Sequence, residues 1–583
     1  MLRFIVRLFA VIGFLVVAGI VTAVVLVTRH EPALPDAIVL DLDLKGPLAE
    51  AGTARLGGFL GHETTLREVL DTLERGRRDP RVKGVLAHFG GDGIGFAQAQ
   101  ELRTAVERFR ASGRFAIAFA EAYGDSGSGN KSYLLASAFD EVWLQPLGLL
   151  SLTGLSAQVP FVRDALDMLG IQPQLMQREE YKSFADTFTK TGFTPANREM
   201  TEALLGDLTS QVVDGVAKSR RLAPDAVRAA MERAPLLDKE AVESKLVDRL
   251  GYADEAKAEA LRRAGAPANA DTVEPKDYLD IAGAAYDSGP TIALIHATGT
   301  ITNGKSDKPG VGEVTAGAET IVQAIEDAVD DPDVKAILFR IDSGGGGVTA
   351  SETIRRALTK ARQSGKPVIA SMGDTAASGG YWIALAAERI VASPGTITGS
   401  IGVVAGKMSL NGLSDRLGVH WGVVDTGRNA GMWSPLRPFS PSEEERLNAL
   451  IDASYATFLS RVAEARHLTP EQARAAAKGR VWTGAQARQL GLVDDLGGVE
   501  AALDLAKQAA KLPADAPVTL TTFPKPKSVI QEIRDLASGK GDFVEAAKML
   551  AELRPMLNQL APLLQAARSG EVQAQMPPLI LGR

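Results

Sequence analysis

Cysteine is absent from the 583 residues. That excludes disulfides, thiolate metal sites and a cysteine nucleophile. Histidine is scarce, at six residues. Neither His30-Glu31 nor His62-Glu63 opens a zinc-binding helix, because Leu34 and Leu66 stand where the second histidine would fall. His88, His296, His420 and His467 lie in no diagnostic context, so a histidine triad has no support and no metal or cofactor is expected. No block of like charge occurs either. The net charge of -7 is spread along a chain with 23% charged and 45% hydrophobic residues, which gives nucleic acid nothing to bind. At this length a single core is excluded, since cores stop growing beyond about 250–300 residues.

What is present begins with an apolar run. Leu8 to Val27 carries no charge, and a helix of that length spans about 30 Å of hydrocarbon. Arg3 and Arg7 precede it, while Glu31 and Asp36 follow. The positive-inside rule then leaves the amino terminus in the cytoplasm and the body outside the inner membrane, facing the periplasm. Val21-Thr22-Ala23 resembles a signal-cleavage site, but the run continues past it, which favours an uncleaved anchor over residues 1–30.

The body is written twice. Asp79-Pro80-Arg81-Val82-Lys83-Gly84-Val85-Leu86 returns as Asp331-Pro332-Asp333-Val334-Lys335-Ala336-Ile337-Leu338. Tyr133 to Pro146 lies on Tyr381 to Pro394 without a gap, at an offset of 248 residues, and Leu246 to Gly251 returns as Leu492 to Gly497. In the second copy Ala336–Ile341 is a short apolar run, Thr349–Gln363 has helical periodicity and Pro367–Met372 is apolar again. Strand, helix, strand implies right-handed crossovers and a parallel sheet, so each copy is expected to be an α/β domain with reactive loops at strand ends. The copies are placed at 31–265 and 291–513. Residues 266–290, rich in Ala, Gly, Pro and Asp, read as a linker, and 514–583 as a tail with a helical run over Val544–Arg568.

Two glycine-rich turns of the second copy stand where such sheets put chemistry. Asp342-Ser343-Gly344-Gly345-Gly346-Gly347 lacks the Gly-Lys-Ser/Thr of a phosphate loop. Its bare backbone amides suit an oxyanion hole, where one donor is typically worth about 3–4 kcal/mol of barrier. Ala376-Ala377-Ser378-Gly379-Gly380 puts Ser378 at a strand-to-helix turn, like a nucleophile elbow without its first glycine. A serine there also suits a helix cap. The first copy has Asn130 and Lys131 at these positions, so the copies share a scaffold and differ at the turn.

Gly373-Asp374-Thr375-Ala376-Ala377-Ser378-Gly379-Gly380-Tyr381-Trp382, with Thr398-Gly399-Ser400-Ile401-Gly402, resembles the signature of signal peptide peptidase A, and the similarity runs over about residues 35–515. The resemblance implies two tandem domains of the crotonase and Clp-protease superfamily fold. It makes Ser378 the nucleophile and Lys182, in Tyr181-Lys182-Ser183, its base. It also assigns the oxyanion to the amides of Gly379 and of Gly345 and Gly346, with Ser400 as a candidate to orient the lysine. At the 248 offset Lys182 meets Ala430, so each copy holds half of a dyad. Such a lysine works as a base only when neutral, which burial promotes, and Tyr181 and Phe184 are candidates for a dry wall. The chain departs from the usual Ser-Pro-Gly-Gly-Ser pattern at Ser343–Gly347, losing a stiffening proline.

The expectation is thus a membrane-anchored serine endopeptidase that degrades cleaved signal peptides and other apolar peptides, as a homotetramer, without cofactor. A crotonase-type acyl-CoA enzyme and a catalytically weak membrane scaffold are the alternatives.

Overall fold

The computed structural model describes residues 34–50, 64–125, 127–306 and 314–525, together with the strands Gln573–Gln575 and Ile580–Leu581. The expected anchor over Leu8–Val27 and the helical run over Val544–Arg568 lie outside the described residues. Among the described residues no helix is long and apolar enough to cross a membrane.

The first unit is built on β1 (Ile38–Leu44), β2 (Val82–Phe89), helix α1 (Phe96–Ala111), β3 (Phe115–Ala120) and β4 (Glu141–Leu144), whose strands lie side by side and parallel in chain order. These strands are apolar on both faces because helices cover both faces of a parallel sheet. Further along, β5 (Gln172–Gln177) leaves this sheet, and β6 (Arg249–Leu250) closes its edge against β4.

The stretch expected as a linker is built into the first unit as far as Ala282, while Tyr286 and Asp287 already meet Leu520 and Thr519 of the second. Val273 bridges to Leu40, and helix α2 (Pro275–Ala282) seals its end with a fully buried Tyr278. The turn-forming composition hid a helix whose start was legible in Pro275 at its first position.

The second unit repeats the plan with β7 (Thr291–Thr298), β8 (Val334–Ser343), β9 (Gly345–Gly347), α3 (Val348–Gln363), β10 (Val368–Ala377), α4 (Gly379–Ala384), β11 (Arg389–Ala392), β12 (Ile397–Gly399) and β13 (Val404–Ser409). Its sheet runs β12, β10, β8, β7 in parallel, with β14 (Thr519–Phe523) on the outer edge beside β7. The opening of the expected tail therefore belongs to the second core, and Phe523 is buried in it.

A second sheet joins the units. β5 of the first pairs antiparallel with β13 of the second, from Val404 opposite Gln177 to Ser409 opposite Gln172. Six consecutive residue pairs fix its register, so the loop that follows β5 has a set position over the second unit. That loop carries Lys182.

The far end of the chain adds two short strands. β15 (Gln573–Gln575) pairs antiparallel with β9 and touches β13 at Val404, while β16 (Ile580–Leu581) pairs with Ala157–Gln158 of the first unit.

Candidate active site

Ser378 sits between β10 and α4 with φ 55° and ψ -113°, outside the basins that non-glycine residues favour. Its N–H donates to the Gly399 carbonyl at 2.8 Å, and its own carbonyl accepts from Trp382 in the first turn of α4. The turn is therefore held from both sides. Glycines follow because nothing larger fits: a Cβ on Gly379 would lie 2.7 Å from Ser351 Oγ, and one on Gly380 would lie 2.6 Å from the Ser343 carbonyl.

Lys182 arrives from the other unit and is fully buried. The Tyr181 N–H donates to the Lys478 carbonyl at 3.2 Å, and Gly479 packs so closely that a Cβ there would lie 2.5 Å from Lys182 N. Gly402 presses on the aliphatic stem, its ideal Cβ 3.1 Å from Lys182 Cδ. These backbone contacts make the dry wall at the lysine. Tyr181 instead packs under the Arg480 guanidinium, and Phe184 joins Phe188, Val404 and Met408 in an apolar cluster alongside.

The amine nitrogen lies 2.8 Å from Ser378 Oγ, 3.0 Å from Ser400 Oγ and 3.1 Å from the Ser400 carbonyl. A neutral amine has two N–H donors and one lone pair. Donation to both Ser400 oxygens uses the donors and leaves the lone pair for the hydroxyl proton of Ser378. Burial holds this amine well below the ordinary lysine value, with no carboxylate partner opposing it. Ser400 is itself buried with φ 49°, and its N–H donates to the Arg480 carbonyl at 2.7 Å.

The glycine loop lies against the same turn, with the Gly346 amide nitrogen 3.0 Å from an ideal Cβ on Gly379. Gly379 opens α4, so its N–H has no partner within the helix. The three oxyanion candidates do not stand alike. The Gly345 N–H donates to Ser343 Oγ at 3.2 Å, and Ser343 Oγ donates to the Gly299 carbonyl at 2.6 Å. A serine hydroxyl thus braces the loop from which proline is missing.

The corresponding turn of the first unit is filled by its own side chains. Asn130 Nδ2 donates to the Gly154 carbonyl at 2.7 Å, and its Oδ1 accepts from Gly154 N at 3.1 Å. Asp92 Oδ1 accepts from the amides of Lys131 and Ser132 at 2.8 and 3.0 Å, the amides that match Gly379 and Gly380. A carboxylate stands where an oxyanion would go. The Asn130 difference was legible in sequence, whereas the role of Asp92 depended on a contact across 39 residues.

Histidines take other places. His88 Nε2 lies 3.0 Å from Asp41, His296 is half-buried with its pKa driven down to about 4 by desolvation, and His420 and His467 are exposed. Ala430, the repeat partner of Lys182, is exposed. Among the described residues no cluster of His, Asp or Glu has the form of a metal site.

A strained serine, a buried amine on its hydroxyl whose burial disfavours the charged form, and an adjacent amide-rich loop define an acyl-transfer site of the serine-hydrolase type. The comparisons with known proteins give the family. The model of peptidase family S49 matches residues 108–266 and 360–513, one stretch in each unit. The chain is 33% identical to Protease 4 of Salmonella typhi over 462 residues, which are 77% of this chain and 73% of that protein. It is 30% identical to the chloroplastic serine protease SPPA of Arabidopsis thaliana over 514 residues, 87% of this chain and 74% of that one. Among solved structures, the S97A mutant of the 1510-N membrane-bound stomatin-specific protease is aligned over 41% of this chain and all of its own, at 17% identity and a TM-score of 0.25. The chain belongs to peptidase family S49 and is a serine peptidase of the Protease 4 and signal peptide peptidase A type.

Proposed function

We propose that this peptidase is an endopeptidase working through a Ser378–Lys182 dyad assembled from its two halves. The 2.8 Å contact between a buried, unpaired amine and Ser378 Oγ carries the reading. Lys182 takes the hydroxyl proton as Oγ attacks the scissile carbonyl, and the amides of Gly379 and Gly346 receive the oxyanion, while the Gly345 amide stays on Ser343 Oγ. The lysine returns the proton to the leaving amine. Water, deprotonated by the same lysine, then frees the acyl group and regenerates the hydroxyl. Ser400 orients the amine by taking both of its N–H groups.

The substrates are peptides in extended form, such as cleaved signal peptides. One observation supports this: β9 already accepts an antiparallel strand in β15, so this edge takes backbone by strand addition. Leu8–Val27 would hold the chain in the inner membrane with the site on the periplasmic side. A homotetramer is in keeping with the exposed Leu417, Trp421, Val424 and Trp433, which a second copy would cover.

The test is digestion of a synthetic signal peptide by the purified full chain. Wild type is expected to cut it internally, and Ser378→Ala to leave it intact. Undiminished cleavage by Ser378→Ala would remove the serine from the mechanism.

A further inference from the structure

The two dyad members sit on different units, so their separation depends on how the units are pinned together. One pin lies four residues from Ser378. Asp374, on the same strand β10, extends a half-buried carboxylate into the first unit. Its Oδ1 accepts from the amides of Ala97 at 2.7 Å and Gln98 at 3.4 Å, the second and third residues of the 16-residue helix α1. Those are the amides that a capping side chain normally satisfies. The cap residue of α1 is Gly95, which has no side chain to offer, and a Cβ there would stand 1.6 Å from Asp374 Oδ2. The helix is left uncapped by its own unit and shaped to admit a carboxylate from the other.

The repeat sharpens the point. In the second unit the corresponding helix is α3, also 16 residues long and also entered through a glycine, Gly347. Its amino terminus adjoins the glycine loop of the active site. The first unit has given up that opening and uses the same helix end as a socket.

Resting on the dyad reading, we infer that Asp374 is a positioning residue for catalysis: by capping α1 of the first unit from the strand that bears Ser378, it fixes the nucleophile against Lys182. It does not touch the reacting atoms. Its effect is on how often Oγ and Nζ stand within transfer distance, and a misplacement near 1 Å can cost about a hundredfold in rate.

The experiment compares four variants of the full chain by peptide kinetics, by the rate of fluorophosphonate labelling at Ser378 and by thermal unfolding. Asp374→Ala removes the cap. Gly95→Ala drives the carboxylate out from the opposite side. Both are expected to lower kcat and the labelling rate by about tenfold to a hundredfold while KM stays within about twofold. Asp374→Asn keeps an oxygen acceptor in place, since Asn caps helices as well as Asp, and is expected to restore most of kcat. Gln100→Ala breaks a different contact between the units, the 2.7 Å bond from Gly395 N, and is expected to lower the melting temperature with kcat kept. Where Asp374→Ala does not fold, Asp374→Glu takes its place, with charge kept and the carboxylate displaced by one methylene, and the same loss of kcat is expected. Wild-type kcat in Asp374→Ala or its substitute would overturn the inference. So would an equal loss in Asp374→Asn, or in Gln100→Ala. Failure of the wild-type chain to label at Ser378 would instead strike the dyad reading, and this inference with it.

Discussion

Lys182, the proposed base, was the residue least readable in sequence. Nothing in Tyr181-Lys182-Ser183 separates it from other lysines, and only the resemblance singled it out. The physical reason is that its properties come from other segments: Gly402 and Gly479 close on its stem, and both Ser400 oxygens accept hydrogen bonds from its N–H groups. Ser378 was more legible, because the repeat exposed a local difference against Asn130. Burying an amine has a sign that can be checked. With its pKa depressed in the folded state, Lys182 binds fewer protons folded than unfolded between that depressed value and the ordinary lysine range, so its contribution to stability rises with pH across that window. Lys182→Met, apolar and close in length, is therefore expected to raise the melting temperature at pH 7, with the gain shrinking towards pH 10. Melting curves at the two pH values test this, and a gain that grew with pH would reverse the sign.

The elements that build the scaffold were plain in sequence and those that join it were not. Strand and helix alternation with its period of repetition gave α3 nearly to its ends and the middle of β8, but β10 runs on from the expected end at Met372 to Ala377, through part of what reads as a turn. The pairing of β5 with β13 was hidden, since antiparallel partners more than 200 residues apart leave no local pattern. The same holds for β15, which lies on the glycine strand β9 from the far end of the chain. A tethered strand acts at an effective concentration in the millimolar range, so incoming peptides must displace it. A chain ending at residue 570 is expected to show a KM for extended peptides lower by about twofold to tenfold, with kcat unchanged. Steady-state kinetics on the two forms decide, and equal KM values would mean that β15 does not compete there.

At the scale of the whole molecule, duplication has separated two roles. One copy supplies the serine turn and the glycine loop, while the other carries Lys182, the proposed base, and fills its own turn with Asn130 and Asp92. Such a division holds only if the copies are locked together, and Arg340 is central to the lock. Fully buried in the second unit, it lies 2.9 Å from Glu50 and 2.8 Å from Glu101 of the first. Removing one partner of a buried ionic group strands the others, at a cost of about 3–5 kcal/mol. Arg340→Ala is expected to lose stability on that scale in chemical denaturation, and a change below about 1 kcal/mol would place the lock elsewhere. The central claim, that an uncharged lysine from one copy activates a serine from the other, is tested most directly by the pH dependence of fluorophosphonate labelling at Ser378. The predicted acid limb lies well below the ordinary lysine pKa of 10.5 and disappears with the labelling itself in Lys182→Ala. A limb at the ordinary lysine value, or full labelling without Lys182, would contradict it.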